Sequence, residues 1–203
     1  MTTKTNTNQK TSTQTISAEI ANWVSVQVEL QNSLENVLFN IAKHEVEIPQ
    51  TFDNSSVINF LVSSLDDVNI KDYLGTYLIH WAIFNSNEEL LQVLIENNVD
   101  VNVRNPKGLT PLHLAVQNND ESIVYLLLQN NAEINCPDLH GNTPIYFAQY
   151  NKNTNVEHLL TSLDSLEKNS NSISLVDKNN SSKFYLKNKD FINKLIEKRN
   201  TAK

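Results

Sequence analysis

The chain has 203 residues, 39% of them hydrophobic, one cysteine and a net charge of −7. That length allows one sizeable core or a short stack of repeated units. No run approaches the roughly 20 apolar residues that cross a bilayer, and the lone Cys136 leaves no internal disulfide, which points to a reducing compartment.

In chain order, Met1 to Gln14 is Thr, Asn, Lys and Gln without an apolar stretch. It reads as no secretory signal, and residues 1–15 are expected to be disordered. From Ile16 to Val46, residues Ile20, Trp23, Val24, Leu34, Val37, Leu38 and Ile41 recur at helical spacing. They predict one long amphipathic helix, part of an N-terminal cap over 16–54. Between Ser55 and Asp164 short apolar clusters alternate with polar turns, at Phe60 to Val62, Val93 to Ile95 and Leu126 to Leu128. Leu112, Leu114, Ala115 and Val116 belong to a second kind of short helix. Thr110 before Pro111 is an N-cap followed by a proline that needs no partner for its missing N–H, and Thr143 with Pro144 repeats the pair. Asn98 and Asn131 stand where helices end, a position that wants positive φ. None of these helices is long enough to be stable alone, so each must pack on neighbours. Val156, Leu159 and Leu160 mark a last helix. Residues 165–183, rich in Ser and Asn, read as a linker. Residues 184–203 hold a basic helix, Phe184 to Lys198, carrying Phe191, Ile192, Leu195 and Ile196. It is expected to dock back as a C-terminal cap, with a partner-binding peptide as the alternative.

Charge is unevenly placed along these segments. It is −3 up to Asn54, −9 from Ser55 to Asp164, and +5 from Ser165 onward. An acidic middle cannot neutralise phosphates, which argues against nucleic-acid binding by the main body.

Periodicity decides the fold class. Gly75, Gly108 and Gly141, the only glycines, lie 33 residues apart and open the related stretches GTYLIHWA, GLTPLHLA and GNTPIYFA. The same step separates Asn98 to Asn102 from Asn131 to Asn135, and one step earlier lies Leu65 to Asn69. These residues resemble the ankyrin repeat, whose unit runs Gly-x-Thr-Pro-Leu-His-x-Ala, an apolar helix, then Gly-Ala-Asp-Val-Asn. The resemblance covers 55–164. It implies an all-α solenoid of helix–loop–helix pairs with short β-hairpin loops and flanking helical caps, in three to four units of which the first and last are degenerate. It further implies that His113, and His80 in the equivalent place, hydrogen-bond within and between units. In that family the residues around each glycine and at the end of the inner helix line a concave face that grips partners, free of packing duty. Carried over, these are Tyr73, Leu74, Thr76, Phe84 and Asn85; Pro106, Lys107, Leu109, Gln117 and Asn118; and Leu139, His140, Asn142, Tyr150 and Asn151. Tyr73, Phe84, Leu109 and Tyr150 are expected to align into one exposed apolar stripe.

No catalytic, cofactor or metal site is expected. His44 and His158 lack partners at ligand spacing. Cys136 and His140 look like a nucleophile and base, but both fall in a hairpin where the resembling family places a small alanine, so Cys136 reads as packing. Trp81, at an inner-helix core position, also reads as packing. The glycines are dispersed and form no phosphate loop.

The expected function is non-catalytic: a monomeric, cytoplasmic scaffold that binds a protein partner with a basic surface, away from membranes. The 31 asparagines suit an AT-rich genome and raise an alternative. In it, the chain is an effector of an intracellular bacterium or virus, delivered into a host cell to engage a host protein. An enzyme with such repeats attached ranks last, because too little chain lies outside the array for a catalytic domain.

Overall fold

The polar breaks in the sequence are local stop-and-start signals, and the chain obeys them. The computed structural model describes residues 7–168 and, beyond them, Lys194; side chains are described from Ala18 to Asp164. Within that range there are nine helices and no strand: α1 Thr7–Gln31, α2 Leu34–Ala42, α3 Asn54–Ser63, α4 Leu78–Phe84, α5 Glu88–Glu96, α6 Pro111–Gln117, α7 Glu121–Gln129, α8 Pro144–Tyr150 and α9 Thr154–Lys168. The one strand-like contact among the described residues is an antiparallel bridge between Lys71 and Tyr77.

Helices α4, α6 and α8 repeat at a step of 33 residues and pack in series as an inner layer, while α5, α7 and α9 follow them as an outer layer. Each outer helix begins at an Asx N-cap in the same phase. The side chains of Asn87, Asp120 and Asn153 accept from the backbone N–H groups of Leu90, Ile123 and Val156 at 3.0–3.1 Å. Asn98 and Asn131 end α5 and α7 at φ 60° and 64°, as expected of that position. Leu90, Leu91, Leu94, Leu112, Ala115, Val116, Val124 and Leu127 are fully buried between the layers.

Three sequence expectations are corrected. The long helix expected over Ile16 to Val46 is two helices. Asn32 takes φ 66° and Ser33 caps α2 through Asn36 N–H at 3.1 Å, so an αL residue plus an N-cap outranks the continuing apolar period. Consequently α2 is not a cap. It packs on α3 and α4 as the inner helix of a first unit whose long connection, 43–53, holds Pro49. The covering role falls to α1, which buries Ile20 and Val24 and begins at Thr7, inside the stretch expected to lack structure. Second, Thr143 makes no side-chain cap on α8, although Pro144 follows it. Third, α9 continues to Lys168, into the expected linker; the rest of 165–183 and the 184–203 helix lie outside the described residues except Lys194, which is helical and exposed.

The far end of the stack is polar by substitution. Ile83 and Val116 are buried at one inner-helix position, and Leu91 and Val124 at one outer-helix position. In the last unit these positions become Gln149 and Glu157, and Gln149 Nε2 donates to Glu157 Oε1 at 3.1 Å. A terminal unit with a polar outer face ends a solenoid without a further layer.

Candidate partner-binding surface

Between units the chain forms three fingers of one design. Asp72, Asn105 and Asp138, again 33 residues apart, each accept with Oδ1 from the backbone N–H groups two and four residues on, at 2.8–3.0 Å. The same residues' backbone N–H groups donate to the carbonyls of Thr76, Leu109 and Asn142. This Asx arrangement holds Gly75, Gly108 and Gly141 at φ 76–83°. Gly108 has a second reason to be glycine: a Cβ there would lie 2.8 Å from the backbone nitrogen of Leu139 in the next finger. The Asx residues were missed in the sequence reading, although their common step was there to be counted. For Asp138, burial pushes the carboxyl up, but hydrogen bonds from Asn142 and from the His140 backbone hold it below the usual value.

Finger and inner helix are joined at Trp81. Its indole N–H donates to Asp72 Oδ2 at 2.9 Å, Lys43 Nζ sits 4.7 Å over its ring, and Phe84 meets it edge-on at 5.9 Å. Trp81 therefore forms a half-buried floor between the first finger and the end of α4, in addition to packing on the core.

The fifteen residues carried over from the resemblance divide into two groups. Tyr73 is 90% exposed, Tyr150 76%, Leu139 70% and Phe84 60%; Leu74, Pro106, Lys107, Gln117 and His140 are exposed as well. The other six have structural work, although Asn118 and Asn151 are exposed as well. Asn85, Asn118 and Asn151 are not free of packing duty. Asn85 Nδ2 donates to Ala42 O at 3.0 Å, Asn118 to Ile83 O at 2.9 Å, and Asn151 to Gln117 O at 2.9 Å. Each ties the end of one inner helix to the orphan carbonyls of the helix before it. Thr76, Leu109 and Asn142 are half-buried finger residues, so Leu109 leaves the expected stripe. Leu109 and Asn142 offer their carbonyls to the Nε2 atoms of His80 and His113 at 3.0 and 3.1 Å.

The exposed apolar side chains thus belong to the first and third fingers and to the ends of α4 and α8. Pro106, Lys107 and Gln117 hold the middle. Tyr146, the counterpart of His80 and His113, adds to the exposed set at the last unit. Cys136 is buried and takes a hydrogen bond from Arg104 Nη2 at 2.7 Å.

The family described as "Ankyrin repeats (3 copies)" matches residues 50–138 and 79–172, more than half of the chain. The chain is an ankyrin-repeat protein. Ankyrin repeats are generally protein–protein interaction modules, and stacked repeats present extended concave surfaces. No curated protein matches this ankyrin chain. Among the described residues no helix is long and apolar enough to cross a membrane.

Proposed function

We propose that this ankyrin protein binds one protein partner, as a monomer and without catalysis, across the finger tips and the ends of the inner helices. The observation that carries the reading is the concentration of Tyr73, Leu74, Phe84, Leu139 and Tyr150 there as exposed apolar side chains. Exposed aromatics on a rigid scaffold are the usual chemistry of binding anchors. The −9 carried from Ser55 to Asp164 favours a partner with a basic surface, whose association slows as salt is added. The abundance of asparagine suits an AT-rich genome such as those of many intracellular bacteria, and a second reading makes the partner a host-cell protein. Pull-downs from the source organism and from a host lysate separate the two.

The test is the double substitution Phe84→Ala with Tyr150→Ala, assayed against the recovered partner. Losing a central anchor typically costs about 2 kcal/mol or more, so affinity should fall roughly 30-fold or more at an unchanged melting temperature. Undiminished binding would place the site elsewhere.

A further inference from the structure

We propose that the chain's own basic C-terminal segment, residues 184–198, is an internal occupant of this same face, which an external partner must displace. The inference rests on the reading of that face as the binding surface. Three observations carry it.

The first is that the last unit offers the segment little apolar seat: Tyr146 is 48% exposed there, but two positions that are apolar in the inner units are polar. Gln149 and Glu157 stand where the inner units bury Ile83, Val116, Leu91 and Val124, and they hydrogen-bond to each other. An amphipathic helix docked there would cover a polar pair. Apart from Val26, Leu30 and Phe60 on α1 and α3 and Tyr146 on α8, the exposed large apolar side chains among the described residues lie on the first and third units of the binding face.

The second is a match of spacing. Phe184, Phe191, Ile192, Leu195 and Ile196 recur at intervals that place them on one side of a helix, while Lys187, Lys194 and Lys198 fall on its flank. From Phe184 to Ile196 such a helix rises about 18 Å. The anchors at Tyr73, Leu74 and Phe84 are separated from Leu139 and Tyr150 by two unit steps. With inner helices packed at 8–10 Å, that separation is about 16–20 Å. One helix can therefore place an apolar end on each patch and pass over Pro106, Lys107 and Gln117 between them.

The third is charge and reach. The array carries −9 and the chain from Ser165 onward +5. Residues 169–183 span up to about 50 Å when extended, more than enough to return from Lys168 to the fingers. Lys194 is helical and exposed, in keeping with a basic flank turned to solvent.

The experiment compares amide NMR spectra of the full-length chain with those of a full-length variant carrying Phe184→Ser, Phe191→Ser, Ile192→Ser and Leu195→Ser. The signals of Leu74, Gly75, Lys107, Leu139 and His140 should move, those of Glu157 and Thr161 should not, and about 0.5 M salt should shift the wild type toward the variant. The variant should also bind the external partner several-fold more tightly. Unmoved finger signals overturn the proposal. So do changes confined to Gln149, Glu157 and Thr161, which would place the segment on the end of the stack. Finger shifts that depend on protein concentration would mean that a second copy supplies the segment. If Phe84→Ala with Tyr150→Ala abolishes partner binding while the tail substitutions leave the fingers unmoved, the binding face stands and the internal occupant falls. The reverse pattern keeps the occupant and removes the external partner from this face.

Discussion

His80 donates its Nε2–H to the carbonyl oxygen of Leu109, 3.0 Å away, and so ties one unit to the finger of the next through a buried ring. His113 repeats the contact with Asn142. The two differ at Nδ1. In His113 that nitrogen meets the backbone N–H of Thr110 at 3.0 Å and the Thr110 hydroxyl at 2.8 Å, whereas in His80 it is buried without a partner, and Tyr77 in the place of Thr110 has no hydroxyl to offer there. Both rings are held neutral, with the proton on Nε2.

Acid should therefore loosen the stack through its buried histidines. Burial is the main cause that brings His80 from 6.5 down to about 4, and burial also lowers His113. The unfolded chain binds these protons at a higher pH than the folded one, so stability is full above 6.5 and falls as pH drops toward 4. For His80 alone the loss is on the order of 3 kcal/mol. The lowered carboxyls of Asp53 and Asp138 add to it only below 3.8. Denaturant midpoints measured at pH 7.5 and pH 5 should differ clearly in the wild type and by less in His80→Gln. A flat profile in the wild type would refute the buried neutral ring.

Two look-alike caps should behave differently. Thr110 accepts from His113 N–H and sits 1% exposed, so Thr110→Ala should cost about 1 kcal/mol. Thr143 makes no cap contact, and Thr143→Ala should cost no more than a few tenths. Equal losses in urea melts would mean that proline alone sets both helix starts.

Inside and outside can be ranked by truncation. Leu127 is fully buried, and Leu127→Ala should cost roughly 2–5 kcal/mol. Phe84→Ala, on a ring that is 60% exposed and meets Trp81 edge-on, should cost far less. A melt in which Phe84→Ala is the worse of the two would invert the assignment.

Neighbouring residues at the end of α6 give the sharpest contrast. Gln117 is exposed, and Gln117→Ala should change stability by no more than about 0.5 kcal/mol. Asn118 is exposed too, but it donates to the carbonyls of Ile83 and Phe84, and Asn118→Ala, which removes both bonds, should cost about 1 kcal/mol. If Asn118→Ala proves neutral in thermal melts while weakening partner binding, Asn118 belongs to the recognition surface after all.

The 33-residue step, the glycine turns, the asparagines at positive φ and the apolar faces of the paired helices were all legible in the sequence by itself. Each is a local requirement, written within a few residues of the position it governs. Tertiary structure alone decided which residues beside those turns are available to a partner. The acceptors for Asn85, Asn118 and Asn151 are backbone carbonyls 34–43 residues earlier in the chain, and a carbonyl leaves no mark on the residue that carries it. The role of α2 was hidden for a related reason. Its apolar period continues that of α1, and only packing against α4 shows that the chain turns at Asn32 and enters the stack there.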